Sequence, residues 1–161
     1  MTDSSTGLTE LLAEQNARLQ ALETLLMEEQ QALVARNMET LQGLLSRKVE
    51  LLGAVEAAER QRNTLVTEIT SEQNPARAME ACIERLPDAD KARELWTTLL
   101  QALERCGSVN EANGTVIERR RAGVQRTMEL LQADSTPAAG GYGPGADSTP
   151  SNSGGREISQ A

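Results

Sequence analysis

The sequence predicts an all-α protein: an antiparallel bundle of three long helices with a short extra helix, coiled-coil-like packing and a disordered C-terminal tail. Over most of the first 70 residues, leucine recurs at alternating spacings of three and four. This is the heptad pattern of helices that pack in a left-handed coil. The 161-residue chain has no Phe, one Trp and one Tyr. Aromatic strand formers are therefore scarce, whereas Leu and Ala favour helices.

The first helix is expected over about residues 7–35, with Thr6 or Asp3 as its N-cap. One stripe of this helix, which we call its seam, should face the other helices of the bundle. The seam consists of Leu8, Leu12, Gln15, Leu19, Leu22, Leu26, Glu29 and Leu33.

The second helix is expected over residues 38–70, because Asn37 interrupts the pattern and is a favourable N-cap. Its seam is Leu41, Leu44, Lys48, Leu51, Val55, Ala58, Arg62, Leu65 and Ile69. In an antiparallel hairpin the two seams match when paired residue numbers add up to 77, which places Glu29 opposite Lys48 and Gln15 opposite Arg62. Glu29 and Lys48 either pair in the core and fix the register, or lie at the seam edge and extend to water.

A short helix is expected over 75–85, with Asn74 as N-cap and Pro75 at its first position. The third long helix follows over 88–132, and Asp88 can cap its start. Its seam is Trp96, Leu99, Leu103, Cys106, Asn110, Asn113, Ile117, Arg120, Val124, Met128 and Leu131. Asn110 and Asn113 either specify register as buried amides or weaken the packing so that a partner helix can compete.

The bundle is expected to occupy residues 1–133, and residues 134–161 are expected to form a flexible low-complexity tail. This segment is mostly Ser, Thr, Gly, Pro, Ala and Asp. Such a composition cannot bury enough apolar surface to offset the entropy of ordering. Tyr142 is its one aromatic residue, and it is either an anchor for a partner or an incidental tail residue.

Composition argues against several classes of function. Without any His, neither a Ser-His-Asp nor a Cys-His arrangement is possible, so we expect no enzyme, no metal site and no cofactor. A formal charge of −8 disfavours nucleic acid and anionic membranes as partners. No apolar run is long enough for membrane insertion, no targeting segment is visible at the N-terminus, and Cys82 and Cys106 suit a reducing compartment. We therefore expect a cytoplasmic protein.

Three stretches resemble the FlgN-type flagellar type III export chaperones. Glu28–Leu33, Asn37–Leu41, Lys48 and Leu51–Leu52 are similar to a family pattern that runs E-x-x-A-L, L and K-x-x-L-L. Asn110–Gly114 resembles the N-x-x-N-G/A stretch of the last long helix, and Tyr142–Gly145 resembles the tail motif. Gln30 departs from the pattern, since the family often has Arg there.

The resemblance implies a cytoplasmic chaperone that binds hook-associated proteins of the hook–filament junction and prevents their premature assembly. It also implies delivery of those clients to the flagellar export gate. Carried over to this sequence, the family's client contacts fall on Val124, Met128 and Leu131, and its gate contact falls on Tyr142. The alternative is a structural coiled-coil adaptor or self-assembling scaffold without an export role. Both a monomer and a dimer are compatible with the pattern.

Overall fold

The structure is a computed structural model that describes residues 2–135. Four helices account for nearly all of this range: α1 (Thr2–Ala35), α2 (Met38–Ile69), α3 (Pro75–Glu84) and α4 (Ala89–Ser135). No strand occurs within the described range. The predicted all-α class, with three long helices and one short one, is confirmed.

The chain divides into two units, Met1–Gln125 and Arg126–Ala161. The first unit contains α1, α2, α3 and α4 as far as Gln125. The described part of the second unit is the last turns of α4, up to Ser135. The packing described below belongs to the first unit.

Helix α1 begins earlier than the expected residue 7. It starts at Thr2, so Thr6 lies inside the helix and neither Thr6 nor Asp3 is its N-cap. A helix propagates readily once formed, and the polar residues at its start oppose this only weakly. At the other end of the chain, α4 continues to Ser135 instead of ending near residue 132.

Asparagine side chains cap the two middle helices. Asn37 Oδ1 accepts a hydrogen bond from Thr40 N at 3.1 Å at the start of α2. Asn74 Oδ1 accepts one from Ala76 N at 3.1 Å at the start of α3, where Pro75 occupies the first turn. Each cap satisfies a backbone N–H that has no partner within the helix.

At the start of α4, the Asp88 carbonyl accepts a hydrogen bond from Ala92 N at 3.0 Å, the first bond of the helix. The Asp88 carboxylate accepts a second bond from Thr9 Oγ1 at 3.2 Å. This side chain thereby ties the beginning of α4 to the beginning of α1.

The turn between α1 and α2 consists of Arg36 and Asn37. Arg36 has a φ of 54°, the left-handed conformation in which a helix often ends. Asn37 N donates to Ala32 O at 2.9 Å and Arg36 N donates to Leu33 O at 3.2 Å. These two bonds form a Schellman motif, which satisfies the last carbonyls of α1 and turns the chain into α2.

The long helices run in alternating directions. α1 and α2 are antiparallel, as shown by side-chain bonds from Lys48 to Glu29 and from Arg62 to Gln15. α4 runs parallel to α1, because its bonds to α1 progress in the same direction along both helices. Asn16 Nδ2 donates to Leu95 O at 2.9 Å near one end, and Asn113 Nδ2 donates to Leu26 O at 2.9 Å near the other.

The short helix α3 closes one end of the bundle, which we call the α3 end; the opposite end, at Arg36 and Asn37, is the turn end. Arg85, just after α3, donates to Ile69 O at 2.7 Å, and Glu80 of α3 lies 3.4 Å from Arg93 of α4. The main apolar core extends from the α3 end along α1. Its buried members are Leu8, Leu12, Leu19, Leu22, Leu26, Val66, Ala78, Met79, Cys82, Ile83, Leu86, Ala92, Leu99, Ala102 and Cys106.

Candidate functional site

Three polar side chains from three helices meet near the turn end, and we call them the polar triad: Glu29, Lys48 and Asn113. Lys48 Nζ lies 2.9 and 3.0 Å from the two carboxylate oxygens of Glu29. Asn113 Nδ2 donates to Glu29 Oε1 at 2.9 Å and also to Leu26 O. Glu29 and Asn113 are buried, and Lys48 is nearly so. Of the two arrangements considered for Glu29 and Lys48, the structure therefore has the paired one.

The second pair of seam interruptions also meets. Arg62 Nη1 donates to Gln15 Oε1 at 3.4 Å, and the Arg62 guanidinium lies 5.1 Å from the centre of the Trp96 ring. Burial lowers the pKa of Arg62, and the nearby Glu59 carboxylate partly offsets that effect. Arg62 thus links α1, α2 and α4 through a hydrogen bond and a cation–π contact.

The predicted seam of α4 is wrong at every second position from Leu103 to Ile117, where the residue is exposed instead of facing the other helices. Asn110, expected in the polar core, is exposed, and Val109 beside it is half-buried. Leu103 and Ile117 are also exposed. The residues of α4 that lie in or against the core as far as the polar triad are Ala92, Leu95, Trp96, Leu99, Ala102, Cys106, Val109 and Asn113.

This correction has a physical reason. Burying Val109 removes apolar surface from water, whereas burying Asn110 would cost free energy unless its amide found partners. Asn113 does find two partners, so it is buried. The sequence does carry a sign of this seam: the small residues Ala92 and Ala102 belong to a row with three–four spacing that continues through Val109.

Both cysteines are reduced and buried in the core. Cys82 Sγ lies 3.7 Å from Val66 O, and Cys106 Sγ lies 3.6 Å from Leu19 O. Burial raises the pKa of each thiol above its ordinary value. The neutral thiol is therefore favoured, and such a cysteine is a poor nucleophile and a poor metal ligand.

Within residues 2–135, no group of three or more His, Cys, Asp or Glu side chains is arranged to hold a metal ion. Over the same residues, none of the helices combines the length and the apolar character that a membrane span needs.

The end of α4 exposes large apolar side chains. The exposed fractions are 65% for Val124, 54% for Met128 and 59% for Leu131. These are the residues that the family resemblance assigned to client binding. Tyr142, assigned to the export gate, lies outside the described residues.

A cleft of about 750 Å³ opens where α2, α3 and α4 meet at the α3 end. We call it the Trp96 cleft. Its lining includes Arg62, Asn63, Thr67, Met79, Trp96 and Leu100. Leu100 is exposed and Trp96 is half-buried, so the cleft offers apolar surface next to the one tryptophan of the chain.

The chain matches a known protein family over most of its length. The family model described as FlgN protein matches residues 1–150. Searches of curated proteins and of solved structures return no match. The matched region contains all four helices of the described structure. The chain therefore belongs to the FlgN family of flagellar export chaperones.

Proposed function

We propose that this chaperone binds hook-associated proteins of the hook–filament junction in the cytoplasm. It keeps them from assembling prematurely and delivers them to the flagellar export gate. The family supplies the general role. The observation that carries the client assignment is the exposed apolar end of α4, where Val124, Met128 and Leu131 each present more than half of their surface to water.

A client segment that folds into an amphipathic helix suits such side chains. Val124, Met128 and Leu131 follow one another at spacings of four and three, the spacing at which helical residues anchor a partner helix. Ordering a flexible client segment on binding costs free energy and so lowers the net affinity. A complex of modest affinity can release its client to the export machinery without nucleotide hydrolysis.

We assign the gate contact to Tyr142. In favour of this role, it is the one aromatic residue of the chain after Trp96 and stands among glycines and a proline. Tyrosine combines a large contact area with few rotatable bonds and a polar tip, and it is enriched at protein interfaces. The variant Tyr142→Ala should reduce secretion of the client while leaving its capture unchanged.

The test of the client assignment is co-expression with candidate hook-associated proteins, followed by pull-down. The double variant Val124→Asp and Met128→Asp should reduce client capture at least about tenfold, because two charges would have to be buried at the contact. Helicity measured by circular dichroism should stay unchanged, since both side chains are exposed.

A matched control makes the same two substitutions, Val to Asp and Met to Asp, on a different helix. Val34→Asp and Met27→Asp, both on α1, replace one exposed Val and one exposed Met. This variant should capture clients as the parent does. Equal capture by the α4 variant and the parent would refute the assignment of the client contact to α4.

The rival function, a self-assembling scaffold, predicts a different result. A scaffold would form oligomers that grow with protein concentration in size-exclusion chromatography, and it would not retain a hook-associated protein selectively. The chaperone should instead elute together with its client and without larger assemblies.

A further inference from the structure

The helix α3 fills only part of the position that a fourth helix would occupy. It packs at the α3 end, where Cys82 and Arg85 contact carbonyls of α2. With 10 residues α3 is about 15 Å long, whereas α2 with 32 residues is about 48 Å long. Towards the turn end, the corresponding faces of α2 and α4 are therefore not covered by α3.

The uncovered face of α2 is apolar. Leu45, Val49 and Leu52 follow at spacings of four and three, and they are 60%, 64% and 39% exposed. Leu45 lies eighteen residues before Asn63, and Val49 lies eighteen residues before Thr67. Eighteen residues are five whole turns of a helix, so each pair lies on the same side of α2. Because Asn63 and Thr67 line the Trp96 cleft, this stripe continues the cleft's α2 wall towards the turn end.

The matching face of α4 begins at the other wall of the Trp96 cleft. Gly114 lies eighteen residues after Trp96, so it shares the same side of α4. Leu103 and Ile117 are exposed on neighbouring positions. A Cβ built at Gly107 or Gly114 would meet nothing within 4 Å, so the surface over both glycines is open.

The two faces lie side by side. Lys48 of α2 and Asn113 of α4 both donate to the same oxygen, Glu29 Oε1, each at 2.9 Å. α2 and α4 are therefore neighbours at this level. We call the surface between them the fourth-helix groove; the residues of these two faces are Leu45, Val49 and Leu52 of α2 and Leu103, Gly107, Asn110, Gly114 and Ile117 of α4.

The rim of this groove is acidic along α4. Glu104, Glu111 and Glu118 follow one another at intervals of seven along α4, and all three are exposed. Glu118 lies 3.9 Å from Arg121, so the row is most acidic at Glu104 and Glu111. On α2, Gln42, Ser46 and Gly53 beside the apolar stripe are uncharged, and Glu56, the next position along the stripe, lies 3.8 Å from Arg60.

We propose that the fourth-helix groove docks an amphipathic helix of a partner protein, with an apolar stripe flanked on one side by Lys or Arg. The stripe would cover Leu45, Val49 and Leu52, and the basic flank would face Glu104 and Glu111. On α4 the groove from Leu103 to Ile117 is about 21 Å long, which suits a helix of about 14 residues. The proposal concerns a surface separate from the α4 end and does not depend on the proposed function.

Charge favours a basic partner over a second copy of this chain. Each copy carries a formal charge of −8, so two acidic surfaces would face each other. Residues 136–161 are no better suited, because Tyr142 and Ile158 are the only large apolar residues among them. A basic helix instead gains both the apolar contact and the attraction of the rim.

The probe for this groove is a designed, fluorescein-labelled 16-residue helical peptide with leucines at three–four spacing and lysines along one flank. A matched peptide carries glutamates in place of the lysines. Fluorescence anisotropy with the full chain should show binding of the lysine peptide that is at least about tenfold tighter than that of the glutamate peptide. The fluorescence of Trp96, next to the groove, serves as a second readout.

Variants then locate the site. Leu45→Ser with Val49→Ser should weaken lysine-peptide binding about tenfold, whereas Val34→Ser with Met27→Ser should leave it unchanged. Glu104→Gln with Glu111→Gln should weaken it about threefold, and more at low salt than at high salt. The control Glu10→Gln with Glu94→Gln, also exposed residues, should have no effect.

Equal binding of the two peptides, or full binding by the Leu45 and Val49 variant, would overturn the proposal. So would a parent chain that dimerises while this variant is monomeric, because the groove would then be an interface between copies. Failure here leaves the proposed function standing, since the pull-down with Val124 and Met128 variants addresses a different surface.

Discussion

The two ends of the bundle are held together by different interactions. At the α3 end, apolar side chains such as Leu8, Ile83 and Leu86 make up most of the buried core, and the buried polar residues there are Thr9, Thr70 and the Gln15–Arg62 pair. At the turn end, the polar triad occupies the core, and Arg120 donates to Leu33 O at 2.6 Å. Apolar contacts are strong but tolerate shifts in register, whereas hydrogen-bonded polar groups fit one alignment only. We infer that the α3 end provides most of the stability and the turn end fixes the alignment.

The largest expected effect tests the α3 end. Ile83 is fully buried between α3 and the long helices, so Ile83→Ala should lower the free energy of unfolding by about 3 kcal/mol. Urea denaturation followed by circular dichroism measures this loss. Leu45→Ala, at an exposed position, should change stability by less than about 0.5 kcal/mol. Similar losses of stability in both variants would contradict the inference that the α3 end provides most of the stability.

At the turn end, Lys48→Met should cost about 2–3 kcal/mol, because it leaves the buried Glu29 carboxylate without its cation. The double variant Glu29→Met with Lys48→Met removes both charges and should return to within about 1 kcal/mol of the parent. Denaturation of the parent, both single variants and the double variant gives the coupling energy. A coupling near zero would mean that the pair has no part in stabilising this end.

The smallest effect compares two neighbouring amides. Asn113 is 1% exposed and has two hydrogen-bond acceptors, so Asn113→Ala should cost about 1–2 kcal/mol. Asn110→Ala, at an exposed position, should stay within about 0.5 kcal/mol of the parent and can raise stability through helix propensity. The same urea titration measures both variants, and a loss for Asn110→Ala as large as that for Asn113→Ala would restore the seam first predicted for α4, which included both residues.

The hairpin of α1 and α2 could be predicted closely from sequence. Both helices have leucine-rich seams, and the polar exceptions Glu29 and Gln15 have counterparts at matching levels. Only one register gives both Glu29 and Gln15 a polar partner on α2. The cap at Asn37 was also foreseeable, because an asparagine that interrupts a heptad run is a strong helix-start signal.

The packing of α4 was harder to predict because its core-facing residues are small. Ala92 and Ala102 contribute little hydrophobic contrast, so the sequence alone favours Leu103 as the seam residue. The structure buries the two alanines there instead. The fourth-helix groove could not be foreseen either, because it depends on how far the short helix α3 reaches along α2.

The parallel course of α1 and α4 has a practical consequence for labelling. Asn16 lies level with Leu95, and Leu33 lies level with Arg120. Arg120 of α4 is therefore at the turn end, about one full length of α1 away from the first residues of α1. For 34 residues that distance is about 50 Å. An affinity tag or fluorophore fused before Thr2 therefore stands well clear of Arg120, and immobilising the protein by its amino terminus leaves that region free for incoming molecules.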